Sequence, residues 1–233
     1  MDAIALPRHL AITRKIVEKY ERGRQAEAIN ELVYNLGDND SRVRAACAEL
    51  LGNIGDLRAV DPLTELLNDE YSEVKIAAVQ ALGKIGESKV IDALEGLLND
   101  HDNEVRLATV RAISKIGGEK AIRPLIKALD DEDSRIQTAA IESLGKLGPK
   151  AVDPLLKTLE SGDEMTRAYT AKALGEIGDP KAVGALIKLV NDQSKIVRAN
   201  VVEALGKIDD PRVVEPLIKS IKDEEVEVRI NAV

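Results

Sequence analysis

Side chains with reactive or metal-binding chemistry are few in this sequence, and their spacing gives that chemistry little to work with. The two histidines, His9 and His101, stand far apart, and neither belongs to a His-Glu pair. His101 lies between Asp100 and Asp102, three metal-ligating types in a row. The same residues fall in a turn where carboxylates cap backbone N–H groups, which already accounts for them. Acidic runs such as Asp130-Asp131-Glu132-Asp133 lack the spacing and the glycine of a calcium loop. Cys47 occupies a repeat position filled elsewhere by Ala78, Ala140 and Val201, as expected of a buried, inert thiol. The expectation is therefore no catalytic residue, no metal and no cofactor.

What remains is recognition, and the elements that must position it repeat. Leu82-Gly83-Lys84-Ile85-Gly86 returns as Leu51-Gly52-Asn53-Ile54-Gly55, Ile113-Ser114-Lys115-Ile116-Gly117, Leu144-Gly145-Lys146-Leu147-Gly148, Leu174-Gly175-Glu176-Ile177-Gly178 and Leu205-Gly206-Lys207-Ile208-Asp209. The spacing is 31 residues, once 30. A fixed period of that size is the signature of a solenoid, whose units bury their apolar faces against their neighbours. Within one unit, Asp56 is placed to cap a first helix with Val60, Leu63, Leu66 and Leu67 on one face. After a turn at Asn68-Asp69-Glu70, a second helix carries Val74, Ala78, Val79, Leu82 and Ile85 inward, and Gly86 ends it in the left-handed region. Pro62, Pro124, Pro154 and Pro216 recur near the start of the first helix, where a missing N–H costs least. Gly83 and its equivalents sit inside the second helix at a cost of about 1 kcal/mol each against Ala, which calls for close approach of a neighbouring helix.

Residues 1–25 read as an N-terminal capping helix, a degenerate half-repeat with Ile12, Ile16, Val17 and Tyr20 on one face. Residues 26–233 read as seven repeats in one elongated domain, the last incomplete at Val233 and leaving Val214, Leu217, Ile218 and Ile221 short of a covering neighbour. Self-association through that repeat is a further expectation. A second periodic mark is an Asp in each hairpin turn (Asp38, Asp69, Asp100, Asp131, Asp192, Asp223), with Ser161 at the exception. Six residues on comes a cation: Arg44, Lys75, Arg106, Arg167, Arg198 and Arg229, with Gln137 breaking the series. Such pairs form a ladder, within a repeat or bridging to the next, that should be weakest at Gln137 and Ser161.

The formal charge of −8 with 32% charged residues of both signs disfavours general binding to nucleic acid. With no Trp or Phe and four Tyr, base-stacking platforms and aromatic-lined cofactor pockets lack raw material. One cysteine excludes an intrachain disulfide framework, and there is neither a signal peptide nor an apolar run of membrane-spanning length. The expected location is cytoplasmic, with no membrane partner.

The unit typified by Asp56-Leu57-Arg58-Ala59-Val60-Asp61-Pro62-Leu63 and closed by Leu82-Gly83-Lys84-Ile85-Gly86 resembles the HEAT-like repeat also found in phycobilin lyases. The Asp and Arg six residues apart match that family's turn Asp and second-helix Arg. The resemblance covers about residues 26–233 and implies an all-α fold, a right-handed α-solenoid (α-α superhelix) of helical hairpins, whose second helices line the concave surface. HEAT-like hydroxylases of deoxyhypusine carry several His-Glu pairs that bind iron, and this chain has none. HEAT-like DNA glycosylases call for a basic groove and aromatic side chains, which it also lacks.

On the second helix, the positions one before and two, three, six and ten after the first core residue lie away from the core. They read Glu73, Ile76, Ala77, Gln80, Lys84, then Glu104, Leu107, Ala108, Arg111, Lys115, and they vary while the core repeats. Candidate partner-binding residues on this stripe are Ile76, Gln80, Leu107, Arg111, Glu142, Met165, Tyr169, Lys172, Ile196, Asn200 and Glu203. Apolar Ile76, Leu107, Met165, Tyr169 and Ile196 are expected to face solvent as anchors, framed by the charged residues. The lysines Lys84, Lys115, Lys146 and Lys207 also complement the helix dipole. The function expected is a non-enzymatic scaffold binding another protein or a peptide on its concave face. The alternative is a lyase-like or chaperone-like accessory protein that holds a prosthetic group for attachment to another protein.

Overall fold

The computed structural model describes residues 7–233, with Ser161 described by its backbone alone. The first six residues of the expected 1–25 cap lie outside the described residues. Among the described residues every regular element is helical. They divide into two compact units, the first ending at Ile116 and the second running from Gly117 to Val233. In the first, α1 (Arg8–Glu21) precedes α2 (Gln25–Asn35), α3 (Ser41–Ile54), α4 (Val60–Glu65), α5 (Ser72–Ile85), α6 (Ile91–Gly96) and α7 (Asn103–Ile116). In the second run α8 (Ile122–Lys127), α9 (Ser134–Leu147), α10 (Val152–Ser161), α11 (Glu164–Ile177), α12 (Val183–Lys188), α13 (Lys195–Lys207), α14 (Val214–Ser220) and α15 (Val226–Asn231). The architecture is an α-solenoid of helical hairpins.

The second helix of each hairpin forms as its apolar spacing predicts. In α5, Val74, Ala78, Val79 and Leu82 are buried, and Gly86 stops the helix at φ +84°, the left-handed conformation that frees the last carbonyls for capping. The first helices differ from expectation. Asp56 does accept the Arg58 N–H, at 2.9 Å, but it opens only a 3-10 turn over Leu57–Ala59. The six-residue α4 follows, and a second 3-10 turn over Leu66–Asn68 closes it. Short i→i+3 turns at both ends satisfy backbone groups that one α-turn would orphan, which is how so brief a helix persists. Of the expected face, Val60, Leu63 and Leu67 are inside and Leu66 is half-buried.

Second helices touch through absent side chains. A Cβ on Gly52 of α3 would lie 2.5 Å from the Ala81 Cα of α5, and one on Gly175 of α11 would lie 2.6 Å from the Ala204 Cα of α13. The helical glycines are the price of that approach, and Gly206 stands apart with nothing within 4 Å.

At this spacing the charged ladder forms, each rung bridging consecutive repeats. The Arg44 fork donates Nε and Nη2 to the Asp69 carboxylate at 2.7 and 2.8 Å, 25 residues on, while its Nη1 donates to the Asp38 carbonyl at 2.8 Å. Asp69 also accepts the Tyr71 N–H at 3.0 Å. Lys75–Asp100, Arg167–Asp192 and Arg198–Asp223 repeat the bridge. The rung between α9 and α11 is missing at both ends. The turn before α11 carries Ser161 and Gly162 in place of Asp, and a Cβ on Gly162 would meet Thr166 Cγ2 at 2.8 Å and the Thr158 carbonyl at 3.0 Å. With no carboxylate to receive it, a guanidinium on α9 would be half-buried and unpaired. Gln137 stands there instead and keeps only the intra-repeat bond, Nε2 to the Asp131 carbonyl at 2.6 Å. The single 30-residue spacing coincides with this junction, and a Cβ on Gly145 would lie 3.2 Å from Glu176 Cβ rather than against an alanine.

Two apolar faces depart from the sequence reading. On α1, Ile16 is buried and Ile12 half-buried, but Val17 and Tyr20 are each 36% exposed. Val17 instead borders a shallow groove with Leu10 and Leu50, because only one side of α1 meets α2 and α3. On and just after α14, Val214, Ile218 and Ile221 are exposed as expected, whereas Leu217 packs against the buried cluster of Ala199, Val202 and Val228.

Three outcomes are expected. Gly52→Ala lowers the unfolding midpoint despite its better helix propensity, because backbone must move, while Gly206→Ala raises stability by about 1 kcal/mol; urea denaturation of the two variants measures the contrast. Gln137→Arg lowers stability, since it buries a cation without its partner; a rise in thermal midpoint would contradict this. Burial pushes the Asp69 carboxyl up, but the Arg44 fork and the Tyr71 N–H outweigh it and hold the pKa below the ordinary value. The Arg198 fork depresses Asp223 in the same direction. A depressed carboxyl stabilises fully above its unfolded value of about 3.9 and loses that contribution as pH falls through the lower folded value. Thermal midpoints followed by circular dichroism are therefore flat from neutrality to about pH 5 and fall below about pH 4.

Candidate partner-binding groove

In the first unit α5 and α7 lie side by side, and the groove between them encloses about 240 Å³. Gly83 and Ala112 form its floor, at the point where a glycine Cβ would lie 2.9 Å from Ala112 Cβ. The close contact that joins the helices thus shapes the groove. Its walls are Ile76, Gln80 and Lys84 from α5 and Glu104, Leu107, Ala108, Arg111 and Lys115 from α7. Four of the residues singled out in the sequence, Ile76, Gln80, Leu107 and Arg111, are brought together here.

The remaining stripe residues lie in the second unit. Glu142 is exposed on α9; Met165, Tyr169 and Lys172 lie on α11; Ile196, Asn200 and Glu203 lie on α13. Met165 and Ile196 are exposed at 36% and 38%, while Tyr169 and Lys172 are half-buried. Glu203 and Glu176 both accept from Lys207 Nζ at 2.7 Å. Burial pushes the Lys207 ammonium down, but the two glutamates outweigh it and raise its pKa. The Asn200 amide turns back to the Ile196 carbonyl at 2.9 Å.

Leu107 is a correction. It was expected to face solvent as an anchor, yet it is only 4% exposed. Its repeat equivalents Ala168 and Ala199 are buried too, at 0% and 4%. Leu107 therefore packs rather than projects, whereas at the same repeat position Ile76 is half-buried and Thr138 exposed. The outward positions are those held by Gln80, Arg111 and Glu142, by Met165 and Ile196, and by Lys84 and Lys115. Glu104, Lys84 and Lys115 were legible in the stripe, the two lysines read there as complementing the helix dipole and Glu104 not singled out. The shallower groove bordered by α1 and α3, with Leu10, Val17 and Glu49, was not foreseen; its only sequence signal is the half of the α1 apolar face that α2 and α3 leave uncovered.

His101 is exposed, with Nδ1 3.2 Å from Asp100 Oδ1. Asp100 is committed to Lys75 Nζ at 2.7 Å and to the Asp102 N–H at 2.9 Å. Among the described residues no group of three or more His, Cys, Asp or Glu side chains is placed to hold a metal. Cys47 is fully buried, and burial pushes its thiol up to about 12. Among the described residues no helix is long and apolar enough to cross a membrane.

Paired helices stacked at this period, with their second helices in contact, define an α-solenoid repeat protein. A family model for HEAT repeats matches residues 11–82, 29–114, 60–145, 95–159 and 152–233. The chain belongs to the HEAT-repeat family. Among solved structures it is similar to Kap95 in the Kap95:Nup1 complex, at 17% identity and TM-score 0.66 over 90% of this chain and 35% of that one. Kap95p with RanGDP gives 18% identity and TM-score 0.64 over 88% of this chain and 34% of that one. The complex of CpcE and CpcF of phycocyanin lyase from Nostoc sp. PCC7120 gives 22% identity and TM-score 0.51 over 87% and 91%. At these identities the likeness concerns the fold. No curated protein sequence matches this chain.

Leu107→Ala is expected to cost about 2 to 5 kcal/mol, like the core change Leu82→Ala, because each leaves a cavity. Arg111→Ala, on the exposed wall, stays within about 0.5 kcal/mol of the parent. Chemical denaturation of the three variants distinguishes the packed positions from the exposed one.

Proposed function

We propose that this chain is a non-enzymatic scaffold that binds another protein or a peptide on the face formed by its second helices, with the α5/α7 groove as an anchoring point. The observation that carries the reading is a contrast between helix positions of the same repeats. The core position held by Leu51, Leu82, Ile113, Leu144, Leu174 and Leu205 is buried and aliphatic throughout. The outward position held by Gln80, Arg111, Glu142, Lys172 and Glu203 changes charge from repeat to repeat. Packing asks nothing particular of that outward position, so its variation is free to encode a partner. The Kap95 structures, similar in fold, are complexes with RanGDP and Nup1.

The second reading, an accessory protein holding a prosthetic group, draws on the fold shared with phycocyanin lyase. The α5/α7 groove does not favour it, since no aromatic ring lines its walls and about 240 Å³ falls short of the roughly 300–1,000 Å³ of small-molecule sites; the groove bordered by α1 and α3, at about 700 Å³, is within that range.

The test is affinity capture of a partner from native lysate, followed by dissociation constants for variants. Tyr169→Ala is expected to weaken binding by about 1 kcal/mol or more, since Ala77, Ala108 and Ala139 at its repeat equivalents show that the scaffold does not require an aromatic there. Lys127→Ala, exposed on the first-helix side, leaves binding unchanged. Equal affinities for the two variants would count against the second-helix face, and a new absorbance band on mixing the pure protein with an open-chain tetrapyrrole would favour the prosthetic-group reading.

A further inference from the structure

Resting on that reading, we infer that the α5/α7 groove is built for an acidic peptide segment of a partner protein, carrying an apolar residue that covers Ile76. The chain as a whole bears a net charge of −8, yet the groove reverses the sign. Its lining holds three cations, Lys84, Arg111 and Lys115, against one carboxylate, Glu104. Arg111 and Lys115 are exposed and lie four residues apart on α7, so they stand one turn above the other on one face. Among the described residues neither makes a hydrogen bond or an ion pair. Lys84, across the groove on α5, reaches only the neutral Asn53 Oδ1, at 2.8 Å.

The equivalent place in the second unit shows what compensation looks like. Lys207, at the same helix position as Lys84 and Lys115, is held between Glu176 and Glu203 at 2.7 Å each. In the α5/α7 groove those neighbouring positions are taken by Asn53 in place of Glu176 and by Gln80 and Arg111 in place of Glu203. The α5/α7 groove thus lacks the paired glutamates that hold Lys207.

The arrangement suits a peptide better than a small anion. The cations are spread over two helices instead of converging on a point, and between them lies an apolar strip of half-buried Ile76 with buried Ala108 and Ala112 beside Gly83. Carboxylates spaced along a chain can meet all three cations while one apolar side chain enters the strip, which is groove recognition with electrostatic steering. Nucleic acid would bring the charge, but the lining has no ring for a base to stack on.

The probe is a fluorescently labelled peptide of about twelve residues, Asp and Glu around one central Leu, followed by anisotropy at about 50 mM and about 300 mM salt. Three comparisons run beside it: the same peptide with Ser for Leu, the same with Lys for every acid, and a single-stranded RNA of equal length. Binding is expected for the acidic Leu peptide, weakening at higher salt, weaker with Ser, and absent with Lys. Arg111→Glu with Lys115→Glu weakens it at least about tenfold, Ile76→Ser severalfold, and Lys127→Glu not at all. Since Arg111 and Lys115 are exposed and unpaired, their variants keep the parent circular dichroism spectrum. No preference for the acidic peptide over the basic one, tighter binding of the RNA, or indifference to Arg111→Glu with Lys115→Glu would each overturn the inference. The scaffold reading fails separately: it survives if a captured partner responds to Tyr169→Ala while the acidic peptide does not bind.

Discussion

Everything in each unit is spaced by the contact of one second helix with the next, backbone against backbone, at glycines that have no Cβ to hold the helices apart. Gly52 on Ala81, Gly83 on Ala112 and Gly175 on Ala204 are the same contact made three times. Glycine weakens a helix by about 1 kcal/mol, so the repeat accepts three individually poorer helices to obtain dense packing between them. With the second helices this close, the long aliphatic positions around them close into a continuous core, and residues 25 apart come within reach of one salt bridge.

That salt bridge illustrates how a buried charge is tolerated. The Arg44 guanidinium satisfies its own turn through a backbone carbonyl and the next turn through a carboxylate, and the carboxylate in turn caps a backbone N–H. Each group has its partners, so neither is left paying for desolvation alone. Between α9 and α11 the carboxylate has no room, because Gly162 is crowded by Thr166 and Thr158. The cation is gone as well, replaced by Gln137, which retains the one bond that does not need a carboxylate. Losing both charges together keeps the junction free of an orphaned ion.

The division between core and surface on a second helix follows from the same geometry. One side of the helix meets its own first helix, two flanks meet neighbouring second helices, and only the remaining outward positions are free of packing demands. The flanks therefore admit Leu107, Ala168 or Ala199, and the outward places admit any polar residue. In the first unit that freedom has gathered three cations around a groove in an acidic protein; in the second it has paired a lysine with two glutamates.

The repeat period, the hairpin, the buried aliphatic series and the existence of a charged ladder were all readable in the chain, because each follows from local periodicity and from residue types that have one good place to sit. The left-handed stop at Gly86 was readable for the same reason. The direction of each rung was not: an Asp and an Arg six residues apart in sequence look like partners, and only the stacking of repeats shows that the fork reaches 25 residues on. Nor could the sequence separate Leu107 from Gln80 or Arg111, since all lie on the non-core side of an isolated helix. Whether such a side chain is buried or free depends on how closely the adjacent helix approaches, a distance set by the glycine contact between helices and by nothing within the helix itself.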